Sequence, residues 1–306
     1  MSSAALSAPS RSPMAGLMQG TAGPVIVVVA AIIAIWYLAA VLLNTPFQRD
    51  IYKRGGAEDA SLAQLVADTL SQDRPVLPSP HQVAVEVWET TANKAVTSKR
   101  SLIYHSSITL SSTLLGFVLG TGLGIVLAIG VVHSRVLDKS LMPWVISSQT
   151  IPILAIAPMI IVVLNAIGIS GLLPKAMIST YLSFFPVTVG MVKGLRSPET
   201  IQLDLMKTYS ASRAQALWKL RLPSAAPYLF ASMKVGVAAS LVGAIVGELP
   251  TGAVAGLGAR LLAGSYYGQT VQIWSALIVA AVIAASLVAL IGVAERIVLK
   301  RMGMGQ

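Results

Sequence analysis

The chain has 306 residues, of which 55% are hydrophobic and only 11% charged, with a net charge of +10. Soluble globular domains carry about 25% charged residues, so this composition excludes an ordinary soluble enzyme and points to a membrane protein. No cysteine is present, which excludes a disulfide framework, a thiol nucleophile and a cysteine-based zinc site.

Residues 1–23 are rich in Ser, Ala and Pro and read as a disordered tail. Residues 24–43 form an apolar run of bilayer-spanning length. A cleaved signal peptide would have a shorter apolar core and a closer basic flank, so the run reads as an uncleaved first span. A polar stretch, 45–104, follows. Between residues 44 and 104 there are seven Lys/Arg and seven Asp/Glu, a balance that suits the outside of a cell. Leu62, Leu65, Val66 and Leu70 share one helical face; Val83, Val87 and Trp88 share another. Pro80 after Ser79 marks a second helix start.

The second span is expected at 106–132. Gly116, Gly120 and Gly124 recur every fourth residue there, a small-residue face for close intramembrane packing. Arg135 and Lys139 mark the next loop as cytoplasmic. The third span, 141–164, is interrupted by Pro152 and Pro158, and broken helices are tolerated where they line a cavity. Its polar members Gln149, Thr150 and Asn165 are candidate pathway residues. The fourth span is 174–192. The segment 193–234 carries seven Lys/Arg against Glu199 and Asp204, the largest positive surplus, so it is expected to be cytoplasmic. The basic balance thus reads as positive-inside bias rather than a nucleic-acid footprint. Spans at 233–249 and 273–293 complete six, with both termini cytoplasmic.

The central segment carries the polar punctuation. Ser197 is a candidate N-cap, with Pro198 at the first helical position and Glu199 in the first turn. That helix is expected to reach about Tyr209. Ser212 and Gln215 form a capping box, so a second helix starts at Arg213. Pro223 is expected to stop it near Leu220. Ala214, Leu217 and Trp218 fall on one face, with Arg213 and Lys219 away from it.

The run D-L-M-K-T-Y-S-A-S-R-A-Q-A-L-W-K-L-R-L-P-S-A-A-P resembles the EAA loop of bacterial ABC-importer permeases. Asp204 stands where that family has Glu. Ser210 stands where it has Gly, at a left-handed position that costs a non-Gly residue roughly 1 kcal/mol or more. Ala211, Ser212, Leu222, Pro223, Ala225 and Pro227 match the pattern. The string L-P-S-P at 77–80 is similar to the segment before the second span in permeases of the sulfonate, taurine and nitrate type. Relative to that group, residues 47–74 look like an insertion, read as a solvated flap.

The resemblance covers about residues 77–301 and implies an all-α membrane protein of the type I ABC-importer permease fold. It would have about six transmembrane helices, a permease domain at 24–306 and a cytoplasmic EAA-type coupling loop. It further implies a bacterial inner-membrane subunit partnered by ATP-binding cassette ATPase subunits, a periplasmic solute-binding protein and a second permease subunit. The solute class is a small polar organic molecule or anion: sulfonate, taurine, nitrate or a pyrimidine precursor. In this reading Asp204, Ser210, Ala211, Ser212, Arg213, Ala214, Leu217, Trp218 and Pro223 form the ATPase-coupling loop.

No phosphate-binding G-x-x-x-x-G-K-[ST] occurs, and His81, His105 and His133 have no ligand spacing, so neither an enzyme activity nor a cofactor is expected. Glu248, at the outer edge of span five, reads either as a pathway or gate residue, or as a snorkelling interface residue or a partner for Arg260. An ion-coupled secondary transporter is the alternative class. It needs a relay of buried ionisable residues, and apart from Glu248 the predicted spans contain almost none.

Overall fold

The structure is a computed structural model that describes residues 22–55, 61–250 and 253–304. The expectation of a disordered tail at 1–23 falls almost wholly outside those residues. Among them the fold is all helical, and the chain divides into two compact units after Val85. Each unit is described by itself.

The first unit contains α1 (Ala22–Gly55) and α2 (Leu62–Leu70). Helix α1 runs well past the apolar stretch that predicted it. Its polar extension is held by Asn44, a fully buried side chain. Asn44 Nδ2 donates to the carbonyls of Thr69 and Leu77 at 3.2 and 2.9 Å. Its Oδ1 accepts from the amides of Val76 and Leu77 at 2.8 and 3.1 Å. Gln72 donates to Gln48 at 2.6 Å, and the Tyr52 hydroxyl donates to Asp68. The described parts of the expected solvated flap, 47–55 and 61–74, are largely exposed and carry this polar network on their inner side. Burying an amide is tolerable only when all its hydrogen-bonding capacity is used, as at Asn44.

Helix α3 (Pro80–Thr91) leads into the second unit. There α4 (Leu102–His133), α7 (Leu172–Leu195) and α10 (Leu222–Glu248) form the three-helix core. The glycine face of α4 meets α7. A Cβ at Gly116 would come 2.2 Å from Ser179 Cβ, and one at Gly120 would come 2.1 Å from Ser183 Oγ. At this separation side-chain hydroxyls reach across: Thr180 donates to the Gly116 carbonyl at 3.2 Å, and Ser240 of α10 donates to that of Thr113 at 2.7 Å. Small residues let backbones approach where lipid supplies no hydrophobic drive between helices.

The expected third span is two helices, α5 (Arg135–Ser148) and α6 (Ile153–Ala166), bent by 101° at the break. Pro152 makes the corner, whereas Pro158 stays inside α6. Helices α8 (Thr200–Thr208) and α9 (Arg213–Ala216) occupy the central segment. Helix α11 (Leu257–Tyr266) and helix α12 (Thr270–Arg301) close the chain. Lys234 of α10 pairs with Glu295 of α12. Among the described residues five helical stretches are long and apolar enough to cross a membrane, six if the bent pair counts as one.

Candidate functional site

Two regions at opposite ends of α4 draw together the residues singled out by sequence. The first is the segment between α7 and α10. Ser197 does not cap α8. Its hydroxyl donates to the Gly194 carbonyl at 2.7 Å, finishing α7, and Glu199 is the N-cap instead. The Glu199 amide donates to Gln202 Oε1 at 3.1 Å. Sequence reasoning placed the cap two residues early because Ser-Pro is the commoner start signal.

Helix α8 ends in a Schellman motif. The Ser210 amide donates to the Lys207 carbonyl at 2.8 Å and the Ala211 amide to that of Met206 at 2.9 Å. Ser210 has φ of +53° and is the one non-glycine with positive φ among the described residues. This is the left-handed position that such a motif reserves for glycine. Ser212 follows at once as the N-cap of α9. Its hydroxyl accepts from the Gln215 amide at 3.2 Å and its amide donates to Gln215 Oε1 at 2.8 Å. The corner and the capping box thus stand where the sequence put them.

The helix does not stop near Leu220. From Leu217 to Arg221 it widens into a π-helical turn, the Leu222 amide bonding the Leu217 carbonyl, and then continues as α10. Pro223 cannot donate to the carbonyl four residues back and would clash with it. A wider turn removes that conflict without ending the helix. Arg221 Nη1 donates to the Leu195 carbonyl at 2.8 Å, tying this turn to the end of α7.

The apolar face splits. Leu217 is half-buried against the cluster of Ala128, Val131, Met191, Val192, Leu195 and Ala225. Ala214 is exposed and Trp218 is 70% exposed. Leu217 therefore roots the helix in its own core, and Trp218 is offered outward. Arg213 and Lys219 are exposed, and Asp204 is exposed and bonded to Lys207 at 2.8 Å.

The second region surrounds Glu248, whose side chain is fully buried. Thr109 Oγ1 lies 3.0 and 2.9 Å from its two oxygens, and the Gly258 amide donates to Oε2 at 2.9 Å. Lys175 Nζ stands 3.8 Å from Oε1. Thr109 also accepts from the Leu257 amide at 2.8 Å, and His105 Nδ1 accepts from the Gly256 amide at 3.0 Å. The A-G-L-G run, 255–258, is thereby wrapped around the carboxylate. Gly256 has φ of +128°, and a Cβ there would come 2.2 Å from the Glu248 carboxyl carbon.

Arg260 is not the partner of Glu248. It pairs with Glu86 at 2.9 Å and donates to the Arg100 carbonyl at 3.0 Å. Nor is Glu248 an interfacial group reaching for water, being enclosed by donors. Sequence reasoning missed Lys175 and Thr109 as its partners, although a lysine in an apolar span is itself a signal of a buried charge.

A cavity of about 610 Å³ adjoins this region, lined among others by Ser111, Asn165, Lys175 and Gly247. Asn165, at the end of α6, thus lines the same cavity as Lys175, the cation beside Glu248. Gln149 and Thr150 do not; they are exposed at the α5–α6 bend, at the other end of α6.

Comparison with known proteins agrees with this architecture. Residues 120–304 match the family described as binding-protein-dependent transport system inner membrane component. A probable ABC transporter permease protein of Haemophilus influenzae is 31% identical, over 71% of this chain and 83% of its own. The riboflavin transport system permease protein of Chloroflexus aurantiacus is 33% identical, over 74% and 80%. The formylaminopyrimidine transport permease protein of Halalkalibacterium halodurans is 29% identical, over 60% and 68%. The chain belongs to the family of binding-protein-dependent inner-membrane components, the permease subunits of ABC importers. It is a multi-pass membrane protein that forms the channel of an ATP-driven importer.

Proposed function

We propose that the segment 197–221 docks a separate ATP-hydrolysing subunit, and that this end of the molecule is cytoplasmic. The observation that carries the reading is the corner at Ser210: two capped helices meet at a left-handed residue, and Trp218 stands exposed beyond it. Asp204, Ser210, Ala211 and Ser212 shape the corner. Ala214 and Trp218 make the contact, and Arg213 and Lys219 flank it. Leu217 and Pro223 root the helix. Closure of two ATPase subunits on ATP would shift the docked segments and rock the spans between inward and outward states.

The pathway would lie between this chain and a second permease subunit, identical or homologous. The opposite end, with the cavity beside Asn165 and Lys175, would face a solute-binding protein outside the cell. Glu248 contributes by fixing the 255–258 segment at that end, and Gln149 and Thr150 by capping the α5–α6 bend. The solute is a small polar organic molecule or anion. Permeases named for riboflavin and formylaminopyrimidine among the relatives favour a nitrogen heterocycle.

The test is a pull-down of the ATPase from membranes with Trp218→Asp. A desolvated, unpaired charge in a docking contact typically costs about 2 kcal/mol or more. Release of the ATPase with normal membrane insertion is expected. Normal retention together with wild-type uptake would overturn the docking assignment.

A further inference from the structure

Beside the corner lies a cavity of about 530 Å³, walled on one side by the docking segment itself. It is lined by Arg135 at the start of α5, Lys207 of α8, Arg213 of α9 and Arg221 of the π-helical turn, with Leu203 and Met206 supplying apolar wall. No carboxylate lines it. Of the nearby acids, Asp138 pairs with Arg196 at 2.8 Å, and Asp204 pairs with Lys207 of the lining at 2.8 Å. Lys207 is thus partly neutralised. Arg221 spends one nitrogen on the Leu195 carbonyl. Arg135 and Arg213 have no ion pair or side-chain hydrogen bond among the described residues.

We propose that this cavity binds a phosphate-bearing ligand, held chiefly by Arg135, Arg213 and Arg221. The fold brings cations from four elements around one hollow, where like charges repel unless an anion sits among them. The volume falls within the range of about 300–1,000 Å³ typical of small-molecule sites. Guanidinium forks match phosphate oxygens two at a time, and three of the four cations are arginines. Apolar wall beside a cationic lining suits a phosphate ester with a carbon skeleton better than a bare ion. An anionic phospholipid headgroup and a soluble phosphate ester share that chemistry. Either would bridge the start of α5 to the start of α9, and so brace the corner that presents Trp218.

Arg213 belongs to the docking segment as well, so binding is measured on the isolated chain, with neither solute nor ATPase present. The full-length chain, purified in detergent and stripped of lipid, is titrated with phosphatidylglycerol, with phosphatidylcholine as the neutral-headgroup control. A parallel titration uses glycerol 1-phosphate. Saturable binding of either phosphate probe, weakened tenfold or more in Arg135→Ala/Arg213→Ala and within twofold of wild type in Lys139→Ala, is the expected result. Binding of phosphatidylglycerol alone assigns a lipid headgroup, and binding of glycerol 1-phosphate assigns a soluble ester. Should the double variant fail to fold, Arg135→Gln and Arg213→Gln are measured singly, each expected to weaken binding at least threefold. Absence of saturable binding in both titrations, or equal binding by the arginine variants, overturns the proposal.

Discussion

Thr109 and Glu248, 139 residues apart in sequence, meet inside the protein with the threonine hydroxyl 3.0 and 2.9 Å from the two carboxylate oxygens. The same hydroxyl accepts from the Leu257 amide. One small side chain thus satisfies a buried carboxylate and a buried backbone donor together. Thr109→Val keeps the shape and removes both bonds. Each buried group left without a partner costs about 1–3 kcal/mol. A fall in the midpoint of thermal unfolding in detergent is expected, with Thr109→Ser recovering most of it. An unchanged midpoint for Thr109→Val would show that the contact contributes nothing.

Gly256 sharpens the same point. Alanine there meets the Glu248 carboxyl carbon at 2.2 Å on a backbone with φ of +128°. Neither the carboxylate, held by its donors, nor the backbone is free to yield. Gly256→Ala is expected to lower the yield of folded protein sharply, by size-exclusion profile. Gly122→Ala, where nothing lies within 4 Å, is expected to behave as wild type.

At the other end, Ser210 sits at φ of +53°. Glycine adopts that conformation without the Cβ penalty of about 1–2 kcal/mol. Ser210→Gly should therefore keep full uptake and stabilise the corner by up to about 1 kcal/mol. Ser210→Val, with a branched Cβ at the same position, should destabilise it. Thermal unfolding and uptake of both variants decide this, and loss of uptake in Ser210→Gly would contradict the Schellman account.

Ala214 and Leu217 are three residues apart but face different surroundings. Ala214→Asp places a charge on the exposed face and is expected to insert normally while releasing the ATPase. Leu217→Asp places it against Val131, Leu195 and their neighbours, so it is expected to reduce folded protein before any docking is measured. Comparing membrane yield with ATPase retention separates the two. Equal yields for both variants would mean that Leu217 is not a root.

The chain has no cysteine of its own, which makes sidedness simple to measure. A cysteine at position 213 is expected to react with an impermeant thiol reagent only after cells are opened. A cysteine at position 64 is expected to react in intact cells. Labelling at 213 from outside would reverse the orientation argued from loop charges.

Much of this architecture was legible because membrane helices advertise themselves by composition and because turn chemistry is local. The glycines at 116, 120 and 124, the capping box at Ser212 and the special place of Ser210 all rest on residues close in sequence. What escaped was set by distant contacts. Pro223 reads as a stop signal until the π-helical turn is seen to absorb it. Leu217 looks equivalent to Trp218 until the core beneath it is known. The polar arm after Leu43 is ordered by Asn44, whose four hydrogen bonds reach residues 69–77. Glu248 was noticed, but Thr109 and the glycine cradle lie on other segments of the chain.

The continuity of the helix past Pro223 has a mechanical consequence. From Arg213 to Glu248 the chain is one helical piece of 36 residues, about 54 Å long at 1.5 Å per residue. Helices yield little along their axis, so a force applied at Trp218 is delivered to the surroundings of Glu248 as displacement of a rod. The π-helical turn is the soft coupling in that rod, because gaining or losing its one extra residue would rotate everything beyond it by about 100°. On the proposed docking, stroke length would be a property of α10 as a whole, and the presence of the π-helical turn would decide which face of α10 is carried toward α4 and α7.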